Sequence, residues 1–83
     1  METPEIRLKR LKIRSVRRGI REMDLLFGQF AATRLATLSE DDLATYEILL
    51  DENDQDLLAW VTGQAECPAP LKNLLDQIKM FRP

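Results

Sequence analysis

The side chains best suited to binding a charged group lie close together, within residues 17–24. This stretch holds three arginines, one glycine and two carboxylates, namely Arg17, Arg18, Gly19, Arg21, Glu22 and Asp24. An arginine guanidinium forms paired, charge-assisted hydrogen bonds with a carboxylate or a phosphate. If Gly19 interrupts a helix, the N–H groups that begin the next helix would converge on the same ligand. The stretch therefore predicts a surface that receives a carboxylate or a phosphate.

A purely structural interpretation of the same stretch is simpler. Glycine is common just after helices, because it adopts the left-handed conformation without a steric penalty. Arg18 and Glu22 are four residues apart, so a continuous helix would pair them on one face. An exposed ion pair of this kind contributes roughly 0–1 kcal/mol. Local physics alone therefore favours a helix stop at Gly19 over a docking surface.

The charge of the chain changes sign at this stretch. Residues 1–21 carry eight basic and two acidic residues, whereas residues 22–83 carry four basic and twelve acidic ones. The basic residues of the first segment could neutralise nucleic-acid phosphates; they are Lys9, Arg10, Lys12, Arg14, Arg17 and Arg18. However, the sequence pI of about 5.1 is far below that of dedicated nucleic-acid binders. We expect no nucleic-acid partner and keep a small helical nucleic-acid-binding or regulatory module as the alternative function.

Composition disfavours several kinds of chemistry. The chain has no histidine and one cysteine, Cys67, which excludes imidazole catalysis, multi-cysteine metal sites and an internal disulfide. The acidic runs at residues 40–42 and 51–56 lack the spacing of a calcium loop and fit helix N-termini, where anions are favoured. No nucleophile–base pair can be assembled, so we expect neither an enzyme nor a metal site.

Targeting signals are also missing from the sequence pattern. No stretch approaches the roughly 20 consecutive apolar residues of a membrane-spanning helix. The N-terminus has no apolar signal-peptide region, and Glu2 and Glu5 argue against a transit peptide. We expect a reduced, cytoplasmic protein without membrane insertion.

Helical periodicity runs through the whole sequence and predicts an all-α fold, a compact single-domain bundle of about five short helices over residues 1–83. The first helix is expected at about residues 4–18, with Thr3 as its N-cap and Gly19 as its stop. Its apolar stripe is imperfect and comprises Ile6, Leu8, Leu11, Ile13 and Val16. The second helix is expected at about residues 20–35. Gly28 lies inside it and either permits close helix packing or marks a small kink.

Three further helices follow in the pattern. Ser39 is expected to cap the third helix, and Asn53 or Asp54 the fourth, which Gly63 then ends. Residues 67–70 contain two prolines and predict a turn before the last helix. The core is predicted from apolar residues at three- and four-residue spacing: Met23, Leu26, Phe27, Phe30, Ala31, Leu43, Tyr46, Leu49, Leu50, Leu57, Leu58, Trp60, Val61, Leu71, Leu74, Leu75 and Ile78.

Two blocks of the sequence resemble a known family. The first is Arg17-Arg18-Gly19-x-x-Glu22-x-Asp24, followed by Leu25-Leu26-x-x-x-Phe30. The second runs from Leu38-Ser39-Glu40-Asp41-Asp42-Leu43 through Tyr46-Glu47-x-Leu49-Leu50 to Asp54-x-Asp56-Leu57-Leu58-x-Trp60. Together they are similar, over about residues 8–65, to the succinate dehydrogenase assembly factors, small FAD assembly (flavinylation) factors of bacteria and mitochondria.

The resemblance implies a five-helix bundle that binds the flavoprotein subunit of succinate dehydrogenase and promotes covalent attachment of FAD to a histidine there. FAD would be the client's cofactor, with none bound stably by this chain, and the flavoprotein of fumarate reductase is a second client to consider. The family's Arg-Gly-x-x-Glu surface corresponds to Arg18, Gly19 and Glu22, with Arg17, Arg21 and Asp24 alongside. The short N-terminus resembles the bacterial branch. With this resemblance, docking becomes the favoured interpretation of residues 17–24.

Overall fold

Five α-helices and one 3-10 turn make up the part of the chain that the computed structural model describes, residues 2–16 and 19–81. In chain order the elements are α1 (Pro4–Ser15), α2 (Arg21–Arg34), the 3-10 turn (Leu35–Thr37), α3 (Glu40–Asp51), α4 (Asp54–Thr62) and α5 (Ala69–Met80). Within these ranges the chain forms no β-strand. None of the described helices is both long and apolar enough to cross a bilayer. The predicted all-α class is confirmed.

Polar side chains fix the starts of three helices, as the sequence predicted. The Ser39 hydroxyl accepts a hydrogen bond from the Asp42 N–H at 3.1 Å, and the Asn53 side chain accepts one from the Gln55 N–H at 2.7 Å. Thr3 caps α1 in the same way. Each bond satisfies an N–H group that has no partner inside its own helix, so these starts are set by local sequence.

The end of α1 differs from the prediction. α1 ends at Ser15, with Val16 at its C-cap, whereas the sequence pattern predicted a helix over residues 4–18. Gly63 is the one described residue with a left-handed backbone, at φ 80°, and it ends α4 as predicted. Because Val16 is the C-cap, the prediction that Gly19 caps and stops the first helix is wrong. Gly19 instead donates its N–H group to a carboxylate of α4.

The turn predicted at residues 67–70 is shorter than expected. Ala69 and Pro70 already belong to α5, which follows Pro68 directly. A proline in the first turn of a helix loses nothing, because the N–H group it lacks would have had no partner there. α2 agrees with its predicted range to within one residue at each end, and Leu35 continues into the 3-10 turn.

The core is built mainly from α2, α3 and α5. Tyr46 is fully buried, with its ring 5.9 Å from the ring of Phe27 and 6.0 Å from that of Phe30. The other buried apolar residues are Leu11, Met23, Ala31, Leu35, Leu49, Leu50, Leu57, Leu71, Leu74, Leu75 and Ile78. Five predicted core residues are only partly buried against this cluster: Leu26, Leu43, Leu58, Trp60 and Val61.

The apolar stripe predicted for the first helix is largely exposed. Leu11 is buried and Leu8 partly buried, but the exposed fractions of Ile6, Ile13 and Val16 are 55%, 51% and 54%. The helix turns about 100° per residue, so these three positions lie away from Leu11. α1 therefore contributes little apolar surface to the core.

Gly28 permits α1 and α2 to approach closely. A Cβ atom added at Gly28 would lie 2.8 Å from Cγ1 of Val16, closer than two carbon atoms pack. Of the two roles that the sequence left open, the structure supports close helix packing.

Candidate functional site

Within the predicted stretch, Gly19 and Ile20 directly precede α2, and residues 21–24 form its first turn. Gly19, Arg21 and Glu22 are exposed, and Asp24 is half-buried. Arg17 and Arg18 lie outside the described residues, so the predicted pairing of Arg18 with Glu22 is not tested. The structure thus brings Gly19, Arg21 and Glu22 together at the exposed start of α2, with Asp24 turned partly inward.

The start of α2 is not capped by a side chain. Ile20 occupies the N-cap position, and its backbone carbonyl accepts hydrogen bonds from the N–H groups of Met23 and Asp24, both at 3.0 Å. Glu22 and Asp24 lie in the first turn, where the positive end of the helix dipole favours carboxylates. Arg21 and Glu22 form no ion pair with any residue that the structure describes. Their charges are therefore available to a partner.

Gly19 is held by a residue far away in sequence. Its N–H group donates a hydrogen bond to Oδ2 of Asp54, the first residue of α4, at 2.7 Å. A Cβ atom added at Gly19 would lie 3.2 Å from the same oxygen, a tight contact. The sequence had suggested Asp54 only as a capping residue, and Asn53 takes that role. The only signal in the sequence was the place of Asp54 in the second family block.

A buried hydrogen-bonded pair lies behind the site, at the last residue of α1. Ser15 and Tyr46 are both fully buried, and their hydroxyl oxygens are 2.6 Å apart. The Ser15 hydroxyl donates to the Leu11 carbonyl at 2.7 Å, and the Tyr46 hydroxyl also lies 3.4 Å from the Phe27 carbonyl oxygen. These bonds tie the end of α1 to α2 and α3, immediately before the connection that carries Gly19. Tyr46 is a core residue as predicted, but Ser15 had not been singled out.

Arginines on one face of α1 pair with carboxylates of α3. The Arg7 guanidinium contacts Glu47 at 3.1 Å and also Glu40, and Arg10 contacts Glu47 at 2.9 Å. Arg14 lies 2.6 Å from a carboxylate oxygen of Asp51. The hydrogen bond from Arg7, assisted by that from Arg10, holds the pKa of Glu47 below its usual value despite partial burial.

This pairing weakens the nucleic-acid alternative. Arg10 and Arg14 were two of the side chains expected to neutralise phosphates, and both are engaged within the chain. Lys9 and Lys12 remain exposed and form no ion pair among the described residues. Arg17 and Arg18, the other two of the six, lie outside the described residues. The low pI of the sequence does not favour nucleic-acid binding either.

The acidic and cysteine side chains are the candidates for metal binding and for nucleophilic attack. Those in the described part of the chain form no group of three or more that could hold a metal ion. Burial, assisted by the nearby charge of Asp76, raises the pKa of the Cys67 thiol. The thiol therefore stays protonated near neutral pH and is a poor nucleophile.

The chain is similar to a family of flavin assembly proteins. A family model described as "Flavinator of succinate dehydrogenase" matches residues 9–82. The chain is 42% identical over 72 residues to succinate dehydrogenase assembly factor 2, mitochondrial, of Schizosaccharomyces pombe. The aligned residues cover 87% of the chain and 52% of that relative. It is 39% identical over 66 residues to the FAD assembly factor SdhE of Legionella pneumophila (strain Paris), with 80% of each protein covered.

A second yeast relative gives a similar comparison. Succinate dehydrogenase assembly factor 2, mitochondrial, of Meyerozyma guilliermondii is 46% identical over 61 residues, which is 74% of the chain and 45% of that relative. The chain spans about half the length of the mitochondrial relatives that it matches. The family match over residues 9–82 includes all six predicted site residues.

Proposed function

The chain belongs to the family described as flavinators of succinate dehydrogenase, and we propose that it is an assembly factor for that enzyme. It binds the flavoprotein subunit and promotes covalent attachment of FAD to a histidine of that subunit. The family match over residues 9–82 is the observation that carries this proposal. The similarity to a bacterial FAD assembly factor over 80% of both proteins supports the bacterial, cytoplasmic form of the role.

The proposed docking surface consists of Arg17, Arg18, Gly19, Arg21, Glu22 and Asp24. Three features support it. Arg21 and Glu22 are exposed, and they lack ion-pair partners in the described ranges. Gly19, which precedes them in the chain, is fixed by a hydrogen bond. A surface with charges of both signs favours a partner whose charges are complementary, and it disfavours other partners by like-charge contacts. Such a surface therefore selects a client as well as binding it.

The chemistry of flavin attachment belongs to the client. This chain has no histidine to receive FAD, and it has no glycine-rich dinucleotide loop of its own. Its contribution is binding energy, which favours the client conformation that holds the flavin next to the acceptor histidine. In this proposal the chain is a chaperone for one assembly step rather than a catalyst, and it holds no cofactor.

Deletion of the gene in its native host tests the proposed function. We expect loss of most of the covalent flavin fluorescence of the succinate dehydrogenase flavoprotein on a denaturing gel, and its return when the wild-type protein is supplied. The denaturing gel removes FAD that is bound without a covalent bond. An unchanged signal after deletion would contradict the proposal.

Glu22→Ala tests the docking surface itself. Truncating a charged contact inside an interface weakens binding by about tenfold or more. Glu66→Ala is the matched control, because Glu66 is an exposed glutamate in the connection between α4 and α5. Both variants should remain folded by circular dichroism, and only Glu22→Ala should lose affinity for the flavoprotein. Equal binding by the two variants would contradict the assignment of this surface.

A further inference from the structure

The carboxylate of Asp54 is directed at the α1–α2 connection rather than at its own helix. Asn53 already caps α4 by accepting the Gln55 N–H. Asp54 instead accepts the Gly19 N–H at 2.7 Å, across 35 residues of sequence. A hydrogen bond from a backbone N–H to an ionised carboxylate is roughly twice as strong as one between neutral groups. Asp54 therefore forms a specific link between α4 and the connection that carries the proposed docking surface.

We propose that Asp54 is a positioning residue for the docking surface, and that it acts by fixing the backbone of Gly19. The proposal rests on the proposed function. It also gives Gly19 a role different from the helix stop that the sequence predicted. The space left by the missing side chain is occupied from within the chain, because an added Cβ would lie only 3.2 Å from Oδ2 of Asp54. Glycine at this position admits the carboxylate of Asp54.

Three described residues in or beside the connection have contacts that fix them. At one end, Ser15 is buried and bonded to Tyr46. At the other end, Ile20 is partly buried against the core and starts α2. Gly19 lies between these anchors and is exposed, and its N–H group is bonded to Asp54. Without this bond, the Gly19 backbone would have to become ordered when the client binds, which weakens binding by about tenfold.

Two variants of Asp54 and one control separate this link from a general charge effect. Asp54→Ala removes the acceptor, whereas Asp54→Asn keeps an oxygen that can accept the Gly19 N–H. Asp56→Ala removes a carboxylate from the same first turn of α4, where the positive end of the helix dipole favours acidic residues. Asp56 is exposed, and it has no hydrogen bond to the described part of the connection.

Two readouts are measured on each full-length variant. The first is hydrogen exchange of the Gly19 amide by NMR, without any client. We expect the fastest exchange in Asp54→Ala, a smaller loss of protection in Asp54→Asn, whose neutral oxygen accepts a weaker bond, and wild-type protection in Asp56→Ala. The second is affinity for the purified succinate dehydrogenase flavoprotein. We expect about tenfold weaker binding by Asp54→Ala, a smaller loss in Asp54→Asn and wild-type binding by Asp56→Ala.

The outcomes distinguish this inference from the proposed function. If the wild type binds the flavoprotein and Asp54→Ala binds it as tightly as Asp56→Ala does, the inference is wrong and the proposed function stands. If the wild type itself neither binds the flavoprotein nor promotes FAD attachment, both are wrong. Should Asp54→Ala not fold, Gly19→Ala replaces it, since its added methyl crowds the same oxygen. Unchanged amide exchange and unchanged binding in Gly19→Ala would then overturn the inference.

Discussion

The buried hydroxyl pair at the end of α1 offers a sharp test of how the site is supported. Two hydrogens, one on Ser15 and one on Tyr46, serve three contacts. The two short ones are satisfied together if Ser15 donates to the Leu11 carbonyl at 2.7 Å and Tyr46 donates to Ser15 at 2.6 Å. In that arrangement the Phe27 carbonyl, 3.4 Å from the Tyr46 hydroxyl, receives at most a weak share of its hydrogen.

The magnitudes follow from what each substitution leaves behind. Tyr46→Phe keeps the ring but leaves the Ser15 oxygen without its donor in a site closed to water, which costs about 2 kcal/mol. Ser15→Ala leaves the Tyr46 hydroxyl with the Phe27 carbonyl as a second acceptor, so its cost is smaller, about 1 kcal/mol. Removing both hydroxyls leaves neither group unsatisfied. The double variant should therefore lose about 2 kcal/mol, about 1 kcal/mol less than the sum of the two single effects.

Urea unfolding followed by circular dichroism measures these free energies for the wild type, both single variants and the double variant. Thr62→Ala is the control, because its hydroxyl bonds to the carbonyl four residues earlier at 2.8 Å, as Ser15 does, but is exposed. It should change stability by no more than about 0.5 kcal/mol. Single effects that add to within about 0.4 kcal/mol in the double variant would refute the proton assignment.

Two further predictions concern helix packing and pH. Gly28→Ala should stabilise the otherwise wild-type protein little, because the added methyl meets the stiff Val16 side chain. In a Val16→Ala background the same substitution should stabilise the protein by about 1 kcal/mol. Equal shifts of the urea midpoint in the two backgrounds would contradict the packing role of Gly28. The hydrogen bond from Arg7 is the main cause of the lowered pKa of Glu47 in the folded state. The contribution of Glu47 to folding stability is therefore complete above its usual pKa of 4.5, and it is lost as the pH falls through the lower folded pKa. Glu47→Gln should therefore be less stable than wild type by about 0.5–1 kcal/mol at neutral pH. At about pH 3 this stability difference should be smaller, and an unchanged difference would count against the pairing of Glu47 with Arg7.

The helices were predictable from the sequence wherever local residues decide them. Ser39 and Asn53 start α3 and α4 because a side-chain oxygen three residues or fewer away satisfies a backbone N–H. Gly63 ends α4 because the required backbone conformation is left-handed. The end of α1 was not predictable in this way. It depends on Tyr46, which contacts Ser15 across 31 residues, and on the bond from Gly19 to Asp54.

The candidate site was predictable in its residue types but not in its support. The spacing of arginine, glycine and glutamate identified the stretch, and its family resemblance identified the role that remains proposed for it. The basic face of α1 looked available in the sequence, because nothing local indicates that Arg7 and Arg10 would share the carboxylate of Glu47. Contacts between residues 37 or more positions apart are invisible to periodicity and spacing.

The short connections between the helices also determine how quickly the protein reaches its folded state. Two residues separate α3 from α4 and six separate α4 from α5, so little of the chain lies outside the helices. Helical proteins dominated by contacts within single helices fold within microseconds to milliseconds, because little chain entropy is lost before those contacts form. In the proposed role, an assembly factor of this design is ready almost as soon as it is synthesised.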